Sequence, residues 1–108
     1  MATSIIQAND TGWINSQSSQ GSIYYRRKDG VLYIRNKSSF TISSGIYNTL
    51  FTLPQEYRPS SDIYKVVGGM GSGSLYTVRI KQSDGTVAIA EHLGTSQVWD
   101  FDISFVLN

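Results

Sequence analysis

The sequence contains no cysteine, only two prolines and almost no excess of either charge. Without cysteine the chain can form neither a disulfide nor a thiolate metal site, so its stability must come from packing or assembly. The 9 Lys and Arg residues against 8 Asp and Glu residues give a net charge of +1. A charge this small provides no broad electrostatic field that would attract nucleic acid or an anionic membrane surface.

Long apolar runs are also missing. No segment approaches the roughly 18 to 20 apolar residues of a membrane helix, and Met1-Ala2-Thr3-Ser4 lacks the basic and apolar regions of a signal peptide. We therefore expect a soluble protein without a visible export signal and without membrane insertion. A chain of 108 residues with 40% hydrophobic and 16% charged residues has room for one packed core. We predict a lead-in or stem remnant over residues 1–11 and one domain over residues 12–108.

Two hairpins are the clearest local signals. One runs through residues 22–35 and turns at Asp29-Gly30, and the other runs through residues 75–91 and turns at Ser83-Asp84-Gly85. An Asp-Gly pair tolerates the positive φ angles of a tight hairpin turn. In the second hairpin, period-two alternation predicts four inward-facing side chains. They are Val78, Ile80, Val87 and Ile89.

The remaining segments also indicate strands. Apolar and polar side chains alternate from Trp99 to Leu107, which predicts a core strand with its aspartates facing outward. Residues 46–52 form another expected strand, which ends at Leu53-Pro54 because proline cannot donate to a ladder. Residues 63–67 resume as a strand before a glycine- and serine-rich connection over 68–74. The sequence therefore predicts an all-β fold, an antiparallel β-sandwich of jelly-roll type with about eight strands.

One stretch also resembles a known group of proteins. Leu53-Pro54-Gln55-Glu56-Tyr57-Arg58-Pro59-Ser60 matches a motif of phage structural proteins, and the similarity extends over roughly residues 12 to 106 through the stretches 25–35, 78–87 and 99–105. The chain resembles the C-terminal head, or carbohydrate-binding, domains of tail-fibre and baseplate proteins from phages of Gram-positive bacteria. The resemblance implies a homotrimeric head in the virion tail, among other tail proteins. Its implied partner is cell-wall saccharide or teichoic acid.

Sugar recognition requires aromatic faces that stack on a pyranose and polar groups that fix its hydroxyls. The proline-bounded loop gathers such residues, and loops on rigid strands often carry binding residues. A structural role explains Tyr57 and Arg58 equally well. In that role the tyrosine hydroxyl holds a corner of the chain by a hydrogen bond, and the arginine pairs with a neighbouring residue. The lone histidine is expected near a loop at one end of the sandwich. The candidate ligand-binding residues are Tyr57, Arg58, Asp62, Tyr64, Tyr76, His92 and Asp100.

Other chemistries find weaker support. Asp100 and Asp102 share one strand face at about 7 Å, a separation compatible with glycosidase carboxylates, but outward carboxylates usually only hydrate a strand or block edge pairing. No Gly-x-Ser-x-Gly elbow, phosphate loop or calcium-ligand spacing occurs. The basic run Arg26-Arg27-Lys28 beside Tyr24 and Tyr33 is interpreted as the solvated end of a hairpin. The sequence therefore predicts no metal, no cofactor and no nucleic-acid partner.

The predicted function is phage receptor binding. The domain is expected to adhere to a bacterial surface saccharide without catalysis, as a multivalent homotrimer. Strands with apolar or aromatic groups on both faces, such as Ile23 and Tyr25 against Tyr24, favour assembly because one face would otherwise stay uncovered. Two alternatives stay open. One is a structural spacer or trimerisation cap without a ligand, and the other is a cell-wall depolymerase or esterase.

Overall fold

The computed structural model describes residues 10–43, 45–68, 75–93, 97–98 and 101–107. Within these ranges the chain is almost entirely β-structure, with one short 3-10 helix at Gln55–Tyr57. In this part of the chain no helix has the length and apolarity needed to span a membrane. The strands are β1 (Ile14–Asn15), β2 (Ile23–Lys28), β3 (Val31–Asn36), β4 (Phe40–Thr41), β5 (Asn48–Thr52), β6 (Ile63–Gly68), β7 (Leu75–Ile80), β8 (Thr86–Leu93), β9 (Gln97–Val98) and β10 (Asp102–Val106).

Two four-stranded antiparallel sheets form the sandwich. The first sheet has the strand order β1-β2-β3-β10, and the second has the order β5-β8-β7-β6. In the second sheet the consecutive strands β6, β7 and β8 are neighbours, and β5 lies beside β8. This is the strand order of a Greek key. The two short strands β4 and β9 form a separate ribbon. The predicted all-β sandwich of about eight strands is confirmed.

The hairpin of β2 and β3 forms where the Asp-Gly pair predicted it. Asp29 has a φ of 54° and Gly30 a φ of 78°, the two positive values that a two-residue type I′ turn requires. Pairing then runs without interruption from Lys28 opposite Val31 to Ile23 opposite Asn36. This register fixes which side chains of β2 and β3 share a face.

The hairpin of β7 and β8 turns through Gly85, which has a φ of 77°. The Gly85 N–H donates to the Lys81 carbonyl at 2.9 Å, and the Lys81 N–H donates to the Thr86 carbonyl at 3.0 Å. The four side chains that alternation placed inward are fully buried, and that prediction is confirmed. They are Val78, Ile80, Val87 and Ile89.

The core is one apolar cluster with contributions from both sheets. In the last strand Ile103 and Phe105 are buried while Asp102 and Ser104 are exposed, as the alternation predicted. Trp99 and Asp100 lie outside the described residues. In β5 a bulge interrupts the pairing with β8 between Thr49 and Phe51, so the consecutive residues Leu50 and Phe51 are both buried.

A corner follows β5 at the end of the second sheet. The Arg58 Nε–H donates to the Leu53 carbonyl at 3.0 Å, and the Leu53 N–H donates to the Gly85 carbonyl at 2.8 Å. A Cβ on Gly85 would lie 2.5 Å from both Arg58 Nε and the Leu53 oxygen. The corner therefore requires glycine at position 85 both for its φ and for its space.

Candidate functional site

Tyr57 and Arg58, two of the predicted ligand-binding residues, build the corner after β5. The Tyr57 ring lies 5.5 Å from the Tyr25 ring at an angle of 58°, and the Arg27 guanidinium lies 5.3 Å from the centre of the Tyr57 ring. Arg58 donates its Nε–H to a backbone carbonyl within the same corner. These contacts match the structural alternative that the sequence left open for the two residues.

Asp62 and Tyr64 follow this corner along the chain. The Asp62 carboxylate accepts a hydrogen bond from the Gln82 N–H at 2.8 Å, so it ties the start of β6 to the turn before β8. Tyr64 stands on β6, an edge strand of the second sheet, and 60% of its surface is exposed. Tyr64 is open to a ligand, whereas Asp62 has a structural partner.

Of the remaining predicted site residues, only Tyr76 has a described side chain, and it does not join this cluster. Tyr76 is only 1% exposed and lies in the core, so its proposed contact with a surface ligand is wrong. His92 lies near the far end of β8, about 20 Å along the strand from Thr86 beside the corner, and its side chain is outside the described part. Asp100 also lies outside the described residues. The described side chains of the predicted set therefore do not come together in a single pocket.

A different surface concentrates aromatic and charged side chains. The outward-pointing residues of β2, β3 and β10 lie side by side, because Tyr24 pairs with Arg35, Arg26 pairs with Tyr33, and Tyr33 in turn pairs with Ser104. Trp13, just before β1, covers one side of this surface. We call it the outer face of the first sheet. Its residues are Trp13, Tyr24, Arg26, Lys28, Val31, Tyr33, Arg35, Asp102, Ser104 and Val106.

Three shallow grooves open around the outer face. The first, of about 220 Å³, is lined by Trp13, Arg26, Lys28 and Tyr33. The second, of about 310 Å³, is lined by Tyr33, Asp102, Ile103 and Ser104. The third, of about 450 Å³, is lined by Arg35, Asn36, Lys37, Phe101 and Asp102. Tyr33 borders the first two grooves and Asp102 borders the last two, so the three grooves are neighbours, and we call them together the depression.

Trp13 lies close to two arginines. The Arg35 guanidinium lies 4.0 Å from the centre of the indole ring, and the Arg26 guanidinium lies 5.8 Å from it. Arg26 also forms a two-pronged ion pair with Asp10, through Nε at 2.8 Å and Nη2 at 2.6 Å. The hydrogen bonds from Arg26 hold the pKa of the Asp10 carboxyl well below its ordinary value. Trp13 is 36% exposed in this arrangement.

The chain just before Trp13 is shaped by local hydrogen bonds. The Gly12 N–H donates to Asp10 Oδ1 at 2.9 Å, and Gly12 has a φ of 69°. The Thr11 N–H donates to the Arg27 carbonyl at 2.9 Å, which extends the pairing of the first sheet to the residues before β1. These bonds fix the position of Trp13 before any ligand binds.

The electrostatic character of the depression is mildly positive. Arg26, Lys28, Arg35 and Lys37 surround it, against the carboxylates of Asp10 and Asp102, which leaves an excess of two positive charges. The Nε of Arg35 is buried without a hydrogen-bond partner, and the Lys37 ammonium lies 5.2 Å from the centre of the Tyr24 ring. Among the described residues, no three His, Cys, Asp or Glu side chains come together as a metal site. The depression is therefore suited to polar or anionic ligands.

Sequence reasoning had the signal for this surface but interpreted it as a solvated hairpin end. Alternate residues of a strand lie on the same face. In β2 these are Tyr24, Arg26 and Lys28, and in β3 they are Tyr33 and Arg35. Applying the alternation to the outward side, as was done for the core, would have placed these residues on one face. Trp13 could not be added from sequence because its contact with Arg35 depends on the tertiary fold.

Comparison with protein families, with curated proteins and with solved structures finds no match to this chain.

Proposed function

We propose that the domain is a non-catalytic host-adhesion module of a phage tail fibre or baseplate, and that it binds a saccharide polymer of the bacterial surface on the outer face of the first sheet. The observation that supports this most is the pair of neighbouring grooves on either side of Tyr33, which combine aromatic and polar side chains. Carbohydrate sites need this combination in a shallow, preformed surface. The sequence resemblance to phage head domains supplies the virion context of the proposal.

Tyr33 is the central contact in this proposal. Its half-buried ring lies between the first two grooves, where the apolar side of a pyranose can stack on it. Ser104 and Arg26 pair with Tyr33 on its two sides, and their hydroxyl and guanidinium groups can fix sugar hydroxyls by hydrogen bonds. Asp102, at the far border of the second groove, adds a carboxylate acceptor.

A single shallow site of this kind binds weakly, so the proposal includes a homotrimer that binds with all three sites. Copies joined on one stem gain avidity through effective concentration. We place the subunit contact on the second sheet, and not on the face of Tyr24, because Tyr64 and Val66 on its edge strand β6 are 60% and 65% exposed. Apolar exposure of this kind is suited to contact with a neighbouring subunit. In the full proposal the polymer is cell-wall saccharide or teichoic acid of a Gram-positive host.

The test compares Tyr33→Ala with Tyr64→Ala in binding to cell-wall polysaccharide fractions and to a glycan array. Both tyrosines are surface residues of β-strands, but only Tyr33 lies in the depression. We expect Tyr33→Ala to lower binding about tenfold or more, because stacked aromatic contacts contribute roughly 1–3 kcal/mol in saccharide and base recognition alike. Tyr64→Ala should leave the affinity of one site for short oligosaccharides of the array unchanged, because Tyr64 lies outside the depression and its exposure bears only on assembly.

Two results would contradict the proposal. Loss of binding in Tyr64→Ala with retention in Tyr33→Ala would move the site to the second sheet. A folded wild-type protein that binds no bacterial surface polymer would instead favour the spacer or trimerisation cap, and release of reducing ends from cell walls would favour a depolymerase.

A further inference from the structure

The two ends of the depression differ from its middle in charge. Arg26 and Lys28 border the first groove, and Arg35 and Lys37 border the third. Between them the second groove presents Tyr33, Ser104 and the single carboxylate of Asp102. From the strand register, Lys28 and Arg35 are separated by four residues along the strands and one strand across, which is about 14 Å between their α-carbons. Arg26 lies nearer to Arg35, because both guanidinium groups lie within 6 Å of the centre of the Trp13 ring.

We infer that the ligand is an internal segment of a linear acidic saccharide polymer, laid across the outer face so that an acidic substituent binds between Arg35 and Lys37. This inference rests on the proposed function and specifies its ligand. The acidic substituent is a carboxylate or a phosphodiester on some sugar units, with uncharged units between successive substituents. The uncharged units occupy the second groove and contact Tyr33 and Ser104.

Arg35 is prepared to receive an anion. Its guanidinium is oriented by stacking on the Trp13 ring at 4.0 Å, and Arg35 lines the third groove. A guanidinium held in one orientation loses little conformational freedom when it binds a carboxylate or phosphate oxygen. Lys37 is exposed at the same groove, where its ammonium adds a second positive charge.

Asp102 limits how densely the ligand can be charged. Its exposed carboxylate borders both the second and the third groove. In the third groove Arg35 and Lys37 leave an excess of one positive charge, whereas the residues that line the second groove include no cation. A polymer with a negative charge on every unit would place one charge in the second groove, beside an unbalanced carboxylate. Like charges at close distance raise the binding free energy. Uncharged sugar units in this position avoid the repulsion and can donate hydroxyl hydrogens to the carboxylate.

The same surface disfavours single-stranded nucleic acid. Nucleic acids carry a phosphate on every unit, which conflicts with Asp102, and they bind β-sheet platforms through bases stacked on free aromatic faces. Here Arg35 already stacks on the Trp13 ring and Lys37 lies over the Tyr24 ring. The third ring of this face is Tyr33. Among the described residues, no cation lies within stacking distance of it.

The experiment uses probes that share a backbone and differ only in charge, with one nucleic acid for comparison. They are plain dextran, carboxymethyl-dextran of low and of high substitution, dextran phosphate of low substitution, and an oligothymidylate. Binding is measured by affinity electrophoresis and by amide chemical shifts of the full chain. We expect both lightly substituted dextrans to bind roughly threefold to tenfold more tightly than plain dextran, as expected from one or two partly exposed ion pairs. Amides of Arg35, Lys37 and Phe101 should shift.

Lys37→Gln supplies the decisive variant and Lys65→Gln its matched control, since both lysines are exposed and Lys65 lies on the opposite sheet. Lys37→Gln should remove most of the preference for the lightly substituted dextran, and Lys65→Gln should leave it intact. Equal effects of the two variants, equal binding of plain and substituted dextran, or tighter binding of the heavily substituted dextran or the oligothymidylate would each overturn the inference. If saccharides still bind through Tyr33 in any of these cases, the proposed function survives. If no saccharide binds the outer face at all, both proposals fail.

Discussion

The guanidinium of Arg35 lies over the indole ring of Trp13, 4.0 Å from its centre. Arg35 belongs to β3 and Trp13 precedes β1, so the contact passes over β2, which lies between those two strands in the first sheet. Through this contact the segment before β1 becomes part of the outer face, and one wall of the proposed binding surface is formed. Four predictions about the contacts that shape this surface and the fold beneath it can be tested.

Arg35→Lys should disturb Trp13 while retaining the positive charge. Lysine lacks the planar group that stacks on the indole ring, and loss of a partly exposed cation–π contact costs about 0.5–1 kcal/mol. We expect the free energy of unfolding in urea to fall by about this amount and the indole N–H resonance of Trp13 to shift. Arg79→Lys is the control. Arg79 belongs to the second sheet and makes a similar contact, 4.0 Å from the centre of the Tyr47 ring, so its substitution should not shift the Trp13 resonance. An unchanged Trp13 resonance in Arg35→Lys would show that the stacking does not hold Trp13.

Gly85→Ala should destabilise the fold more than Gly30→Ala. Both glycines have φ near 78°, where an L side chain costs about 1–2 kcal/mol. A Cβ on Gly85 would in addition lie 2.5 Å from Leu53 O and Arg58 Nε, whereas a Cβ on Gly30 has nothing within 4 Å. We therefore expect a loss of about 2–4 kcal/mol for Gly85→Ala and about 1–2 kcal/mol for Gly30→Ala, from denaturant titrations. Equal losses would mean that the corner can shift to make room.

Asn36→Ala should be costly although it removes only a small polar side chain. Asn36 is 4% exposed, and its Oδ1 accepts a hydrogen bond from the Phe101 N–H at 2.6 Å. Removal of that acceptor leaves a buried donor unpaired, which costs about 1–3 kcal/mol. Asn15→Ala is the matched control, because its Oδ1 accepts a bond from the Gln17 N–H in an exposed position. If the two variants unfold at the same urea concentration, the link between β3 and Phe101 contributes nothing to stability.

The Asp10–Arg26 ion pair should make stability depend on pH in the acidic range. The folded-state pKa of Asp10 lies below its ordinary value of 3.8, chiefly because Arg26 donates hydrogen bonds to the carboxylate. The ionised carboxylate therefore favours the folded state. This contribution is fully present above the ordinary pKa and is lost as the pH falls through it towards the folded-state pKa. Wild type should melt at a higher temperature than Asp10→Asn at neutral pH, and the difference should shrink below about pH 4.

The control for this effect is the same Asp10→Asn change in an Arg26→Gln background. Without its principal partner the carboxylate loses most of the cause of its lowered pKa, so the substitution should change the melting temperature less at neutral pH and show less dependence on pH. A difference between wild type and the Asp10→Asn variant that stays constant from neutral to acidic pH would show that the ion pair does not contribute.

Residues of one strand were predictable because alternation is a local property. The burial of Val78 and Ile80 follows from their parity in β7, and the Asp29-Gly30 turn follows from the φ angles that this pair tolerates. Tyr76 shares the parity of Val78 and Ile80, so the same rule already placed it inward, and assigning it to a ligand was an error in applying the rule. The short strands β1, β4 and β9 were missed because two residues carry too little alternation to detect.

The candidate site depended on contacts between distant parts of the chain. Tyr33 and Ser104 are neighbours only because β10 returns beside β3, and Trp13 meets Arg35 only because the segment before β1 lies along the edge of β2. The sequence by itself determined which side chains of each strand face the core and where the hairpins turn, since both follow from backbone geometry over a few residues. Only the tertiary structure decided which outward side chains become neighbours, because strand order and register arise from packing of the whole core.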